Sequence, residues 1–241
     1  MPIFQEESRL PDGLSDLQSF LARLPLALEL ILVCEPGEGA SVRADVGAVA
    51  AAAKSPRRLS LDETSSESTP AATPGVSTIA VKVLENARRL GRGPSVQRGL
   101  DEASGDLLIV LSADMNIPLA ESFAAVQEYL RAPEDTGFVL GNRRSLKRPR
   151  HGERSALKKI FDDIEHEKAQ GLDVPDPTSP FWAITRELWQ KVSPQMKFRR
   201  WYYTPQLVRY LREMRAPIKS LDINSHDDPS TRFKWWHSIL S

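Results

Sequence analysis

The chain has 241 residues, 41% of them hydrophobic, enough to bury the core of one sizeable α/β domain. Lys plus Arg and Asp plus Glu both number 32, so net charge selects neither a nucleic-acid partner nor an anionic membrane surface. The single cysteine, Cys34, excludes an internal disulfide and fits a reducing compartment; no apolar run approaches the roughly 20 residues that span a bilayer.

The opening "MPIFQEES" lacks the basic and apolar regions of a signal peptide. The expectation is a cytoplasmic protein, or one peripheral to the inner face of a membrane. Whether Met1 is the natural start stays open. Apolar residues at 10, 14, 17, 20, 21 and 24 then fall at helical spacing. "LELILVCEPGEG" reads as a buried strand stopped by Pro36 and Gly37, and "ADVGAVAAAAKS" as a small-residue helix. Residues 60–78 are rich in Ser, Thr and Pro and have almost no large apolar side chains, so a mobile loop inside the domain is expected there.

"IAVKVLENA" is strand-like, and "GRGPSVQRGLDEAS" opens with glycines and continues as a helix. "LLIVLSAD" reads as a strand, "PLAESFAAVQEYLRA" as a helix and "TGFVLGNRR" as a strand. The remaining third is mainly helical, in "SALKKIFDDIEHEKAQ" and "TPQLVRYLREMR", with a strand-like "PIKSLDI". This alternation predicts an α/β fold: a mostly parallel central sheet, helices on both faces, and a single domain over 1–241.

Several segments together resemble a known family. "MPIFQEESRLPDGLSDLQSFL" is similar to the opening of family-two glycosyltransferases of the GT-A (Rossmann-like) fold. "NARRLGRGPSVQRGLDEASGDLLIVLSAD" resembles their Gly-rich segment and the strand that carries an Asp-x-Asp motif. "VLGNRR" resembles the next strand. "DPTSPFWAITRELW" and "DPSTRFKWW" resemble segments of the dolichol- and polyprenyl-phosphate sugar transferases. The resemblance implies an inverting transfer of a sugar from a nucleotide diphosphate, with UDP preferred and GDP second, to an acceptor such as a polyprenyl phosphate. It also implies a weakly held Mg²⁺ or Mn²⁺ that depends on the nucleotide.

The departures fall where that chemistry sits. The family's Asp-x-Asp is Ser112-Ala113-Asp114, its Asp-Asp-Gly-Ser is Cys34-Glu35-Pro36-Gly37, its opening Asn is Gln5, and its Thr-Ser-Gly-Phe has Pro180 for the glycine. Asp114 with Asn116 fits a metal ligand pair, and Asp114 fits equally a strand-end carboxylate capping the helix near Pro118. The resemblance implies a nucleotide pocket lined by Pro2, Phe4, Glu6, Glu35, Arg92, Asp114 and Arg232, with Glu35 accepting from the base. Glu35 and Glu6 are also readable as solvated loop acids. Arg143 and Arg144 close a strand and suit diphosphate oxygens, as a guanidinium does, or are surface charges. Asp176 is implied on the acceptor side, as an orienting carboxylate or, for a hydroxyl acceptor, a base; beside two prolines it is equally a turn-former. His151, His166, His226 and His237 have no zinc-ligand spacing, and no Gly-x-Ser-x-Gly elbow is present. The aromatic stretches "WYYTPQL" and "FKWWHSIL" suit core or lid packing, or a lipid contact. The competing reading is a catalytically impaired protein on the same frame that binds a nucleotide or a protein partner. A nucleotidyltransferase would need a Gly-rich signature near the N-terminus, which the chain lacks.

Overall fold

In a computed structural model of the chain, the described residues are 2–3, 10–21, 27–52, 57–61, 77–112, 117, 119–132, 135, 137–143, 171–197 and 203–224. They fall into two compact units. The first comprises Met1–Gly105 with Ser112–Met115, the second Asp106–Leu111 with Asn116–Ser241.

The first unit carries β1 (Pro2–Ile3), α1 (Leu10–Leu21), β2 (Glu29–Cys34), α2 (Gly39–Ala52), β3 (Arg57–Leu61), β4 (Ser77–Glu85) and α3 (Arg92–Asp101). Its four-stranded sheet has the order β1-β2-β4-β3, and every pair is parallel. β2 is buried from Leu30 to Cys34, as its unbroken apolar run requires of a strand covered on both faces. Leu10, Leu14 and Leu17 form the buried stripe of α1, in agreement with their helical spacing. α3 lies close over β2: a Cβ placed on Gly99 would sit 3.2 Å from Val33 Cγ2.

The second unit carries β5 (Leu107–Val110), α4 (Leu119–Arg131), β6 (Phe138–Asn142), β7 (Trp182–Thr185), α5 (Arg186–Val192), a 3-10 turn (Ser193–Gln195), α6 (Tyr203–Glu213) and β8 (Ile218–Asp222). Its sheet order is β5-β7-β6-β8; β7 is antiparallel to both neighbours, while β6 and β8 are parallel. Phe138, Trp182 and Tyr203 stack through the core, with ring centroids 5.7 and 6.4 Å apart. Ile117, Ala125, Val139, Phe181, Ala183 and Ile223 form a packed cluster. Tyr203 of "WYYTPQL" is therefore core rather than a lipid contact.

The α/β class and most expected elements are present. The strands are divided between two sheets where the sequence suggested one. β3 and β7 were not foreseen: β3 begins with two arginines, and β7 is four residues of "WAIT" running straight into α5. The expected loop overlaps β3 at its start, and its residues 62–76 lie outside the described set, as do the helix expected in "SALKKIFDDIEHEKAQ" and the tail "FKWWHSIL". Among the described residues, no helix is long and apolar enough to cross a membrane.

Candidate functional site

In the first unit the strand ends and the start of α3 are built around carboxylates. Glu35 follows β2 directly and is only 6% exposed. Its Oε2 accepts the backbone N–H of Leu90 at 3.1 Å, and its Oε1 accepts that of Gly91 at 3.0 Å. A buried carboxylate is costly unless its lone pairs are met, and two amides from one turn meet them. The consequence is mechanical: Glu35 pins the turn that leads into α3. Gly91 has φ 81 and ψ 176, a conformation essentially reserved for glycine. The first glycine of "GRG" is thus demanded by the backbone of this turn.

Arg92, the next residue, has its Nη1 3.4 Å from the Oγ of Ser112, which belongs to the same unit. That is long for a hydrogen bond, so the contact orients more than it binds. The turn is held from beneath by Asn86, 2% exposed. Its N–H donates to the Cys34 carbonyl at 2.9 Å, and its Nδ2 donates to Ser95 Oγ on α3 at 2.9 Å. Arg98 Nη1 donates to Asn86 Oδ1 at 2.9 Å and to the Glu85 carbonyl at 2.7 Å. Glu85 Oε1 in turn accepts the Gly37 N–H at 2.6 Å, and Glu38 Oε2 accepts the N–H of Glu35 at 3.2 Å. Asn86 and Arg98 were quoted in the Gly-rich segment without a role. Their signal was only their place on either side of the "GRG" turn.

Cys34, wholly buried, has its thiol pushed up to about 12, by burial first and then by the Glu38 and Glu85 carboxylates. It is an inert core thiol rather than a nucleophile.

The second unit holds a separate arrangement. Asp176 is 0% exposed and receives Arg143 from three directions: the backbone N–H at 3.1 Å and Nε at 2.7 Å on Oδ2, and Nη2 at 2.9 Å on Oδ1. Thr178 Oγ1 donates to Oδ1 at 3.2 Å and accepts from Arg143 Nη2 at 3.1 Å. Asp176 and Arg143 therefore form a buried bidentate pair that ties the turn at 176–179 to the end of β6. Arg143, weighed as a diphosphate partner, is spent on this carboxylate. A carboxylate so engaged orients its neighbour and is poorly placed to take a proton from an acceptor.

Of the residues implied for the site, Glu35, Arg92 and Ser112 come together in the first unit, and Pro2 is placed in β1, paired with Val33. Phe4, Glu6, Asp114, Asn116, Arg144 and Arg232 lie outside the described residues. The ligand pair expected for a divalent ion, Asp114 and Asn116, is thus outside what the structure describes. Ser112 offers a neutral oxygen, and a guanidinium sits beside it. No group of three or more His, Cys, Asp or Glu able to hold a metal occurs among the described residues.

Strand order, covering helices and the Gly-rich turn before α3 define a protein of the GT-A type. The family model for glycosyl transferase family 2 matches residues 60–193, more than half of the chain, and the chain belongs to that family. No curated protein sequence matches the chain. Among solved structures it is similar to glucosyl-3-phosphoglycerate synthase of Mycobacterium tuberculosis at 15% identity, with TM-score 0.60, covering 96% of this chain and 72% of that one. The complex of that enzyme with Mn²⁺, UDP-glucose and phosphoglyceric acid matches with TM-score 0.61 at 16% identity, covering 95% and 70%. At these identities the likeness establishes the shared fold. The finer resemblance to polyprenyl-phosphate sugar transferases rests on the quoted segments alone.

Proposed function

We propose that the chain transfers a sugar from a uridine diphosphate donor to a small phosphate-bearing acceptor. The observation that carries this reading is the clamp of Glu35 on the Leu90 and Gly91 amides, which precede Arg92 and its contact to Ser112. A fixed guanidinium matches diphosphate oxygens in geometry and charge. It meets the negative charge that develops on the departing diphosphate as the bond to the sugar breaks, a form of electrostatic stabilisation that requires the donor group to be in place beforehand. UDP is preferred because similar solved structures contain UDP or UDP-glucose. The acceptor class is supported by phosphoglyceric acid and glycerol 3-phosphate in structures of that similar enzyme. In this reading Glu35 acts through the turn it pins, and Asp176 acts through Arg143.

A second reading, binding without turnover, is favoured by Ser112 in place of an acid. Two measurements separate them. A thermal-shift panel of UDP, GDP and ADP tests the nucleotide: a ligand at 100 times its dissociation constant stabilises by about 2.7 kcal/mol. Release of UDP from UDP-glucose, with and without phosphoglyceric acid or glycerol 3-phosphate, tests turnover. A UDP shift with no release under any acceptor supports the binding protein; no shift with any nucleotide sinks both.

A further inference from the structure

The loop that leads into α3 is tied at both ends to one place. Its first residue, Asn86, donates its backbone N–H to the Cys34 carbonyl at 2.9 Å. Its last two, Leu90 and Gly91, donate theirs to the Glu35 carboxylate at 3.1 and 3.0 Å. Cys34 and Glu35 are consecutive, so the loop closes on the end of β2, and Ala87, Arg88 and Arg89 between the ties are exposed. These ties fix where the loop ends lie but not how α3 leaves them. The Asn86 side chain adds that: its Nδ2 donates to Ser95 Oγ at 2.9 Å, and its Oδ1 accepts from Arg98 Nη1 at 2.9 Å. The same Arg98 nitrogen donates to the Glu85 carbonyl at 2.7 Å. Ser95 and Arg98, three residues apart, stand on one face of the helix. Resting on the UDP-sugar reading above, we infer that Asn86 and Arg98 are positioning residues for the nucleotide: they hold the opening turn of α3 in the geometry that binds UDP.

The choice of residue supports this. Asn86 is 2% exposed, and both ends of its amide are matched by α3. An apolar side chain of the same size would fill that space without needing partners. A buried amide is costly unless paired, so it is satisfied in one arrangement of strand end, loop and helix, where an apolar contact would tolerate several. Arg98 extends the arrangement to the strand, because one nitrogen bridges the end of β4 and the loop's first residue. A loop ordered before its ligand arrives spares the ligand the cost of ordering it. Asn86 and Arg98 thus act at the strand end of the loop as Glu35 acts at its helix end.

The test is calorimetric titration of UDP into the full chain, at a temperature where circular dichroism shows each variant folded. Asn86→Leu, close in size and without polar atoms, should weaken binding about tenfold, the scale of one or two hydrogen bonds. Arg98→Met keeps the Asn86–Ser95 bond and should weaken it less, by about threefold. Asn86→Asp should bind within about threefold of the parent, because a carboxylate accepts from Arg98 and the Ser95 hydroxyl turns to donate to it. A network that served stability alone would lower the melting temperature of Asn86→Leu and Arg98→Met and leave the affinity of the folded proteins at the parent value; that result overturns the inference. Binding by Asn86→Asp no tighter than by Asn86→Leu also overturns it. Arg98→Met, which alters a partly exposed side chain, carries the comparison where Asn86→Leu does not fold. Absence of UDP binding by the parent overturns the UDP reading itself.

Discussion

Replacing Asp176 separates a structural carboxylate from a catalytic one. Its side chain is 0% exposed, whereas that of Arg143 is 20% exposed. Asp176→Ala removes both carboxylate oxygens from the guanidinium, and breaking a buried pair from one side costs about 3–5 kcal/mol. Because water reaches part of Arg143, the lower end applies, about 3 kcal/mol. Asp176→Asn keeps one acceptor and loses the charge, for about 2 kcal/mol. Arg143→Met strands the wholly buried carboxylate and should cost at least as much as Asp176→Ala. The assay is urea unfolding; with a slope of about 3 kcal/mol/M, Asp176→Ala moves the midpoint down by about 1 M. Two compact units need not unfold together, so the transition of the unit holding the pair is the one that should move. If Asp176→Asn leaves the unfolding midpoint unchanged yet abolishes sugar transfer, the carboxylate is a base and the account of it as a positioning pair is wrong.

Three further outcomes follow from single contacts. Gly91→Ala adds a Cβ with nothing within 4 Å, so its cost is backbone strain alone, about 1–3 kcal/mol, and it should lower UDP affinity by swinging Arg92; parent-like affinity would remove the turn from the site. Cys34 should resist iodoacetamide at about pH 8 in the folded protein and react fully in denaturant, since its buried thiol stays protonated; rapid native labelling would contradict its placement. Burial alone would raise the pKa of Glu29, but the Ser104 amide at 2.8 Å and Lys82 at 3.0 Å outweigh it, and the net direction is down from the usual 4.5. The carboxylate is thus more easily protonated in the unfolded chain; its stabilisation is present above about pH 4.5 and is lost as the pH falls through the lower folded value. Glu29→Gln should flatten the acid limb of stability measured by urea unfolding, and an unchanged limb would refute the assignment.

Much of the frame was legible because it is written in local patterns. The stripe of Leu10, Leu14 and Leu17 and the apolar run of β2 report burial directly. β7 escaped notice because four residues between a turn and a helix carry too little periodicity, and its place between β5 and β6 is decided by partners distant in the chain. The site was legible as a set of residues but not as a set of contacts. The sequence marks Glu35, Arg92 and Asp176 as charged residues at strand ends or in turns. It cannot say whether a carboxylate faces a ligand or the chain's own amides and guanidinium groups, because that depends on which turn the tertiary fold brings within 3 Å.

That distinction decides what each unit offers to a ligand. In the first unit Glu35 is turned to the Leu90 and Gly91 amides, Glu85 to the Gly37 amide, and Glu29 to Lys82 and Ser104. In the second, Asp176 is turned to Arg143. Acids used to build loops no longer repel an anion with full force, since each is met by donors at hydrogen-bond distance. The loop before α3 carries Arg92 beside the neutral hydroxyl of Ser112. Serine for aspartate at 112 therefore puts a neutral hydroxyl, rather than a second carboxylate, beside the Arg92 guanidinium.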